Sequence, residues 1–231
     1  MATAPESADL TKARLMTAAE GLFAEYGIEA VSARQIALAA GQRNQSAIRY
    51  HFGSKDDLIV ALHAQRIGEI NERRAHMFEV PGVAGDMRAL IGAIATPLAE
   101  RVERDASGSA YVRFLAHLFS DRQRRDLLIE HGESAALLRR IYAALRGLPG
   151  AIPEPLFSER LRLMVGGIIH ALADRERLRT KGGAGPFVLA QDAFLNNLID
   201  ASIGILTAPP SPATLAHLTL PAKEHARGTN G

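Results

Sequence analysis

Three glycines govern what the N-terminal part of this chain can fold into. Gly27, Gly41 and Gly53 each follow a run of apolar residues at helical spacing, where a left-handed C-terminal cap is expected. The first run has Leu15, Ala18, Ala19, Leu22 and Phe23 within Leu10 to Tyr26, the second has Ile36, Ala37 and Ala40, and the third has Ile48 and Phe52. Start signals stand between the stops. Ser32 lies three residues before Gln35, a capping-box arrangement. Asn44 can cap a third helix, and Ser54 with Asp57 opens a fourth that carries Leu58, Leu62 and Ile67. Short helices separated by tight turns therefore precede one long helix, an order that no strand-forming pattern interrupts.

Two of those short helices, joined by a turn containing Gly41, make a helix-turn-helix pattern. In that geometry the second helix enters the DNA major groove and the first crosses the phosphate backbone. If Asn44 to Phe52 is the recognition helix and Ile48 and Phe52 hold it to the core, Gln45, Ser46, Arg49 and Tyr50 project outward, and Asn44 at the helix start is a further candidate DNA contact. The charge pattern agrees with this placement. From Ser32 to Lys55 the chain carries Arg34, Arg43, Arg49 and Lys55 and no carboxylate, and Asp56 and Asp57 follow in the first turn of the next helix, where negative charge favours the helix dipole. Arg34, Arg43 and Lys55 are suited to attract phosphates and set the register. The overall net charge of +2 implies nothing about partners, so the argument rests on location.

The segment "TKARLMTAAEGLFAEYGIEAVSARQIALAAG", followed by "YHFGSKDDL" from Tyr50 to Leu58, resembles the N-terminal domain of the TetR/AcrR (tetracycline-repressor-like) family of transcriptional regulators. The chain departs from the family pattern at "QRNQ", residues 42–45, where a polar turn replaces an apolar residue and a serine. The resemblance implies a homodimer that binds double-stranded operator DNA through two such domains, and a C-terminal domain that binds a small-molecule inducer. It assigns Ser32, Arg34 and Lys55 to backbone contact, and Gln45, Ser46, Arg49, Tyr50 and His51 to the recognition helix. Arg49 stands where the family often has tyrosine. It is suited either to guanine O6 and N7 or to a phosphate.

The remaining sequence reads as helical throughout, giving an all-α fold class. The expected organisation is a flexible N-terminus at 1–9, a three-helix helix-turn-helix DNA-binding domain at 10–55, a helical ligand-binding and dimerisation domain at 56–207, and a loosely held tail at 208–231. Ile91, Ile94, Leu98 and Val102 form a stripe in which Pro97 is expected to kink or divide the helix. "SAYVRFLAHLFSD", Ser109 to Asp121, is dense in apolar residues with a few polar groups among them. Ile94, Leu98, Tyr111, Arg113, Phe114, His117 and Leu118 are accordingly the candidate ligand-binding residues, implying an apolar or aromatic effector. Gly132 is a candidate break between two helices, and "GLPGAIPEP" reads as a linker. Two C-terminal helices with wide apolar faces suit a four-helix interface between two copies, with Leu161, Val165, Ile168, Phe194, Leu198 and Ile205 as candidate interface residues. Phe187 belongs to the second of these faces.

Enzyme chemistry finds little purchase. The chain of 231 residues has no cysteine, no G-x-G-x-x-G, no phosphate-binding loop, no G-x-S-x-G and no H-E-x-x-H. None of the eight histidines follows a glutamate by three residues, and His170 with Asp174, one turn apart, reads as a surface or interface hydrogen bond. No cofactor or metal is expected, and no catalytic residue is assigned. "MATAPESAD" lacks the features of a signal peptide and no apolar run approaches a membrane span, so a cytoplasmic location without membrane association is expected. The function expected is that of a ligand-responsive DNA-binding regulator, most simply a repressor. The alternative is a helical small-molecule-binding or interaction protein without DNA-binding activity.

Overall fold

The structure is a computed structural model that describes residues 4–42, 44, 46–104, 110–124, 135–150, 152–180 and 189–218. Among these residues the regular structure is entirely helical. Helix α1 (Ala4–Tyr26) begins earlier than the expected Leu10, because Pro5 lies in its first turn, where the missing N–H has no intrahelical partner to lose. Leu15, Ala19 and Phe23 bury its inner face, and Gly27, at φ +80°, donates its N–H to Phe23 O to end it.

The capping box of α2 (Ala33–Ala39) is complete: the Gln35 N–H donates to Ser32 Oγ (3.3 Å) and the Ser32 N–H donates to Gln35 Oε1 (2.8 Å). The helix closes in a Schellman motif. Gln42 N–H reaches Ala37 O (2.8 Å) and Gly41 N–H reaches Leu38 O (3.0 Å), with Gly41 at φ +73°. Helix α3 (Ser46–Phe52) starts two residues after Asn44, whose Oδ1 accepts the Ser46 N–H (2.9 Å). The polar turn thus delays the helix and supplies its first side-chain acceptor. Ile48 is the buried residue of α3, and Gly53 at φ +91° turns the chain into α4 (Lys55–Phe78). There Ser54 Oγ accepts the Asp57 N–H (3.0 Å) while Asp57 Oδ2 accepts the Ser54 hydroxyl (2.6 Å).

A 3-10 turn (Val83–Gly85) leads into α5 (Met87–Arg104), which runs undivided through Pro97. Proline cannot donate to the carbonyl four residues earlier, that of Ala93. Arg74, from α4, fills the gap by donating Nε–H to Ala93 O (3.2 Å). The helices α6 (Tyr111–Ser120), α7 (Ala136–Arg146), α8 (Leu156–Thr180) and α9 (Gln191–Thr207) complete the larger unit. Helix α6 is packed on one side by α1 and on the other by α8, which explains why apolar residues surround it. Helix α9 lies against α5 and α8. Within the expected tail, Pro212–Leu218 forms α10, capped by Ser211 Oγ accepting the Thr214 N–H (3.2 Å). Gly132 and Phe187 lie outside the described residues.

A Cβ at position 53 would meet the Asp57 carboxylate oxygen at 3.0 Å on a left-handed backbone. Gly53→Ala should therefore lower unfolding stability by about 1–2 kcal/mol in a denaturant titration.

Candidate nucleic-acid interface and effector cavity

On the helix-turn-helix unit, Ser32, Arg34, Asn44, Ser46, Arg49 and Tyr50 are exposed, and Ile48, 2% exposed, anchors α3 from beneath. Tyr50 is 81% exposed and stands edge-on to the half-buried His51, with ring centroids 4.9 Å apart. Among the described residues, neither Arg34 nor Arg49 has an ion-pair partner. Both residues are exposed, and the two carboxylates that follow α3 in sequence are engaged elsewhere: Asp57 in the α4 cap and Asp56 at 3.4 Å from Arg124. Arg43 and Gln45 lie outside the described residues.

Lys55, expected at the phosphate backbone, is tied to its own subunit. Its Nζ donates to Ile28 O (2.6 Å) and sits 5.7 Å from the Phe23 ring centroid, tying the start of α4 to the turn after α1. Burial pushes the ammonium pKa down, with Glu29 and Asp56 opposing and Arg124 adding to the shift.

Below this unit, α4, α5, α6, α7 and α8 line a cavity of about 110 Å³. Ile94, Leu98 and Leu118 line it, together with His63, Ile67 and Arg74 of α4 and Tyr142 of α7. Four other candidate ligand residues lie elsewhere, because the packing of α6 against both α1 and α8 directs much of its circumference away from the cavity. Phe114 stacks on Phe23 of α1 at 5.8 Å between centroids, and His117 packs against Gly27. Arg113 pairs with Glu25 (3.1 Å) and Glu176 (3.3 Å). Tyr111 sits behind the cavity wall, its hydroxyl 3.2 Å from His63 Nδ1.

Burial, reinforced by the neighbouring Arg74 charge, pushes the His63 pKa down to about 4, so its imidazole is neutral near pH 7. Arg74 is 2% exposed and desolvation lowers its pKa too, yet a guanidinium remains charged. The sequence reading did not assign His63, Arg74 or Tyr142 to this site. A signal was present for Arg74: it continues the buried α4 stripe of Ile67 and Ile70 at helical spacing, a place where an arginine needs a buried partner.

Of the candidate interface residues, Val165 and Ile168 line the cavity, and Ile168 is only 1% exposed. Their faces of α8 point inward. Leu161, Phe194, Leu198 and Ile205 are half-buried within the subunit, Phe194 with the Arg175 guanidinium 4.5 Å from its ring centroid. The outer surfaces of α8 and α9 instead present Leu163, 59% exposed, with the small residues Gly167, Ala193, Ala201 and Gly204. His170 is exposed on α8, and Asp174 pairs with Arg177 (2.9 Å). Among the described residues no cluster of metal-ligating side chains occurs, and no helix is long and apolar enough to cross a membrane.

Two consequences follow from these environments. Lys55→Met should cost about 1–2 kcal/mol of stability. It should leave the salt dependence of DNA binding unchanged, whereas loss of a phosphate contact would reduce the slope of log K against log salt by about 0.9. His63, holding fewer protons folded than unfolded between about pH 4 and 6.5, makes stability fall as pH falls through that window. His63→Gln should therefore lose about 1.5–2 kcal/mol less than the parent between pH 7 and pH 5, measured by chemical denaturation at both values.

Comparison with known proteins bears on both units of the chain. Residues 15–62 match bacterial regulatory proteins of the tetR family, and residues 92–204 match the tetracyclin repressor-like C-terminal domain. The HTH-type transcriptional dual regulator CecR of Shigella flexneri is 52% identical over 50 residues, a stretch that covers 22% of this chain and 22% of that protein. Two crystal structures of NalD from Pseudomonas aeruginosa, described as the secondary repressor of the MexAB-OprM multidrug efflux pump, share the fold. They have TM-scores of 0.51 and 0.52 at 19% identity, covering 87% and 88% of this chain and 98% of each NalD chain. With both the helix-turn-helix unit and the helical C-terminal unit matched, the chain belongs to the TetR family of regulatory proteins.

Proposed function

We propose that the protein is a homodimeric, ligand-responsive transcriptional regulator, acting as a repressor that leaves its operator when a small molecule occupies the cavity. The observation that carries this reading is the division of α3: Ile48 is buried beneath it while Ser46, Arg49 and Tyr50 stand exposed on its other face. That face combines hydroxyl, guanidinium and phenol groups, the chemistry that reads base edges and phosphates. Two copies would place their α3 helices in successive major grooves, about 34–36 Å apart. The small residues exposed on α8 and α9 suit close helix approach between the copies.

Helix α4 is the natural lever. Its first residue is tied to the helix-turn-helix unit through Lys55 and Ile28 O, and its later turns supply His63, Ile67 and Arg74 to the cavity wall. A ligand that displaces those side chains acts on the same rod that carries α3. A coupling of roughly 1–3 kcal/mol between the sites would change operator affinity about 5- to 150-fold.

Mobility shift with DNA from upstream of the protein's own gene tests the reading. The intact protein should retard such DNA, and Arg49→Ala should weaken binding by about tenfold or more, losing discrimination at one base pair if the contact is to guanine. An Arg49→Ala variant with unchanged affinity removes the residue from the interface. A folded protein that retards no such DNA favours an interaction role without DNA binding.

A further inference from the structure

We propose that the Arg74 side of the cavity is an acid-headgroup site, and that the effector is a small, mostly apolar monocarboxylate whose carboxylate is received by the Arg74 guanidinium. The inference rests on the reading of the cavity as the effector site and names the ligand class.

The argument starts from the cost of the arginine. Arg74 is 2% exposed on the wall of a cavity otherwise lined mainly by aliphatic side chains, and a buried ion carries a heavy desolvation penalty unless it is compensated. Among the described residues no carboxylate pairs with it. Its hydrogen bonds run to neutral acceptors: Nε–H to Ala93 O (3.2 Å) and Nη1–H to Asn71 Oδ1. Nη2 has no hydrogen-bond partner among the described residues. Two donors hold the guanidinium in place, and one terminal nitrogen is left over on a residue that lines the cavity.

The Ala93 contact alone would explain a polar group, since Pro97 frees that carbonyl. It does not explain a permanent charge, because a neutral donor would satisfy Ala93 O without the ionic penalty. An anion completes the set. Arginine binds carboxylates through paired N–H donors, and such charge-assisted bonds gain strength where water is excluded. Tyr142 lines the same wall and keeps its phenolic proton, burial holding its pKa up near 12. It offers a second donor. Among the described residues no acidic side chain lines the cavity to repel an anion.

The apolar part of the ligand follows from the remaining wall, formed by residues such as Ile94, Leu98, Leu118 and Ile168. A cavity of about 110 Å³ is on the scale that receives one aromatic ring or a short acyl chain. Charge and volume together select compounds of the kind of benzoate or hexanoate over polar, cationic or multicyclic ones.

Isothermal titration of the full-length protein without DNA tests this, using benzoate against benzamide and hexanoate against hexanamide. Each pair holds shape and removes charge. At least one carboxylate should bind tenfold or more tightly than its amide. Arg74→Met, checked for native helicity by circular dichroism, should bind acid and amide alike, and Tyr142→Phe should narrow the preference without abolishing it. Equal binding of acid and amide by the intact protein, no binding of either acid at millimolar concentration, or a folded Arg74→Met variant that keeps the preference would each overturn the proposal. The titration contains no DNA, so it is independent of the regulatory reading. Carboxylate binding that leaves a DNA complex intact would count against ligand-induced release while upholding the headgroup site.

Discussion

The arrangement depends on how α4 is held at two places along one rod. Near its start, Lys55 binds the carbonyl of Ile28, and further on Arg66 pairs with the buried Glu20 of α1 at 2.6 Å. Glu20, 4% exposed, also accepts the Ala110 N–H (3.0 Å) at the start of α6. One carboxylate therefore joins α1, α4 and α6. Buried groups of this kind tolerate little misalignment, since a displaced partner leaves an uncompensated charge. The helix-turn-helix unit is in this way fastened to the very helices that line the cavity.

Further along the same rod, Arg74 meets a defect in α5. Pro97 removes a helix hydrogen bond, and Arg74 supplies the missing donor from the neighbouring helix. The pair fixes α4 against α5 and carries a positive charge to an apolar cavity. The same helix therefore carries a contact to the helix-turn-helix unit near its start and the Arg74 contact to α5 near its end, which is why the proposed coupling runs through α4.

Local chemistry made much of this legible in the sequence. The capping box at Ser32 and Gln35, the turn at Gly41 and the cap at Ser54 are decided within a few residues, so spacing alone indicates them. What depends on the third dimension was not legible. The circumference of α6 looks uniformly apolar because two helices cover it, and nothing in "YVRFLAHLFS" tells which side faces a cavity. Phe114, His117 and Arg113 consequently face α1 and α8 instead. The intramolecular tie of Lys55 was hidden because its acceptor, Ile28 O, lies 27 residues earlier. Val165 and Ile168 looked like part of an outer stripe for the same reason: a wide apolar face does not reveal which half is outward. Arg74 and Pro97 were each visible, but their pairing across two helices was not.

The placement of α3 is tested most directly by dimethyl sulfate footprinting on a DNA fragment that the protein retards. This reagent methylates guanine N7 in the major groove and adenine N3 in the minor groove, so it reports which groove is occupied. The account predicts protected guanines in two clusters about one helical turn apart, 10–10.5 base pairs centre to centre or a multiple of it, with minor-groove adenines between them still reactive. Protection confined to adenine N3, or a retarded complex in which every guanine stays reactive, would contradict it.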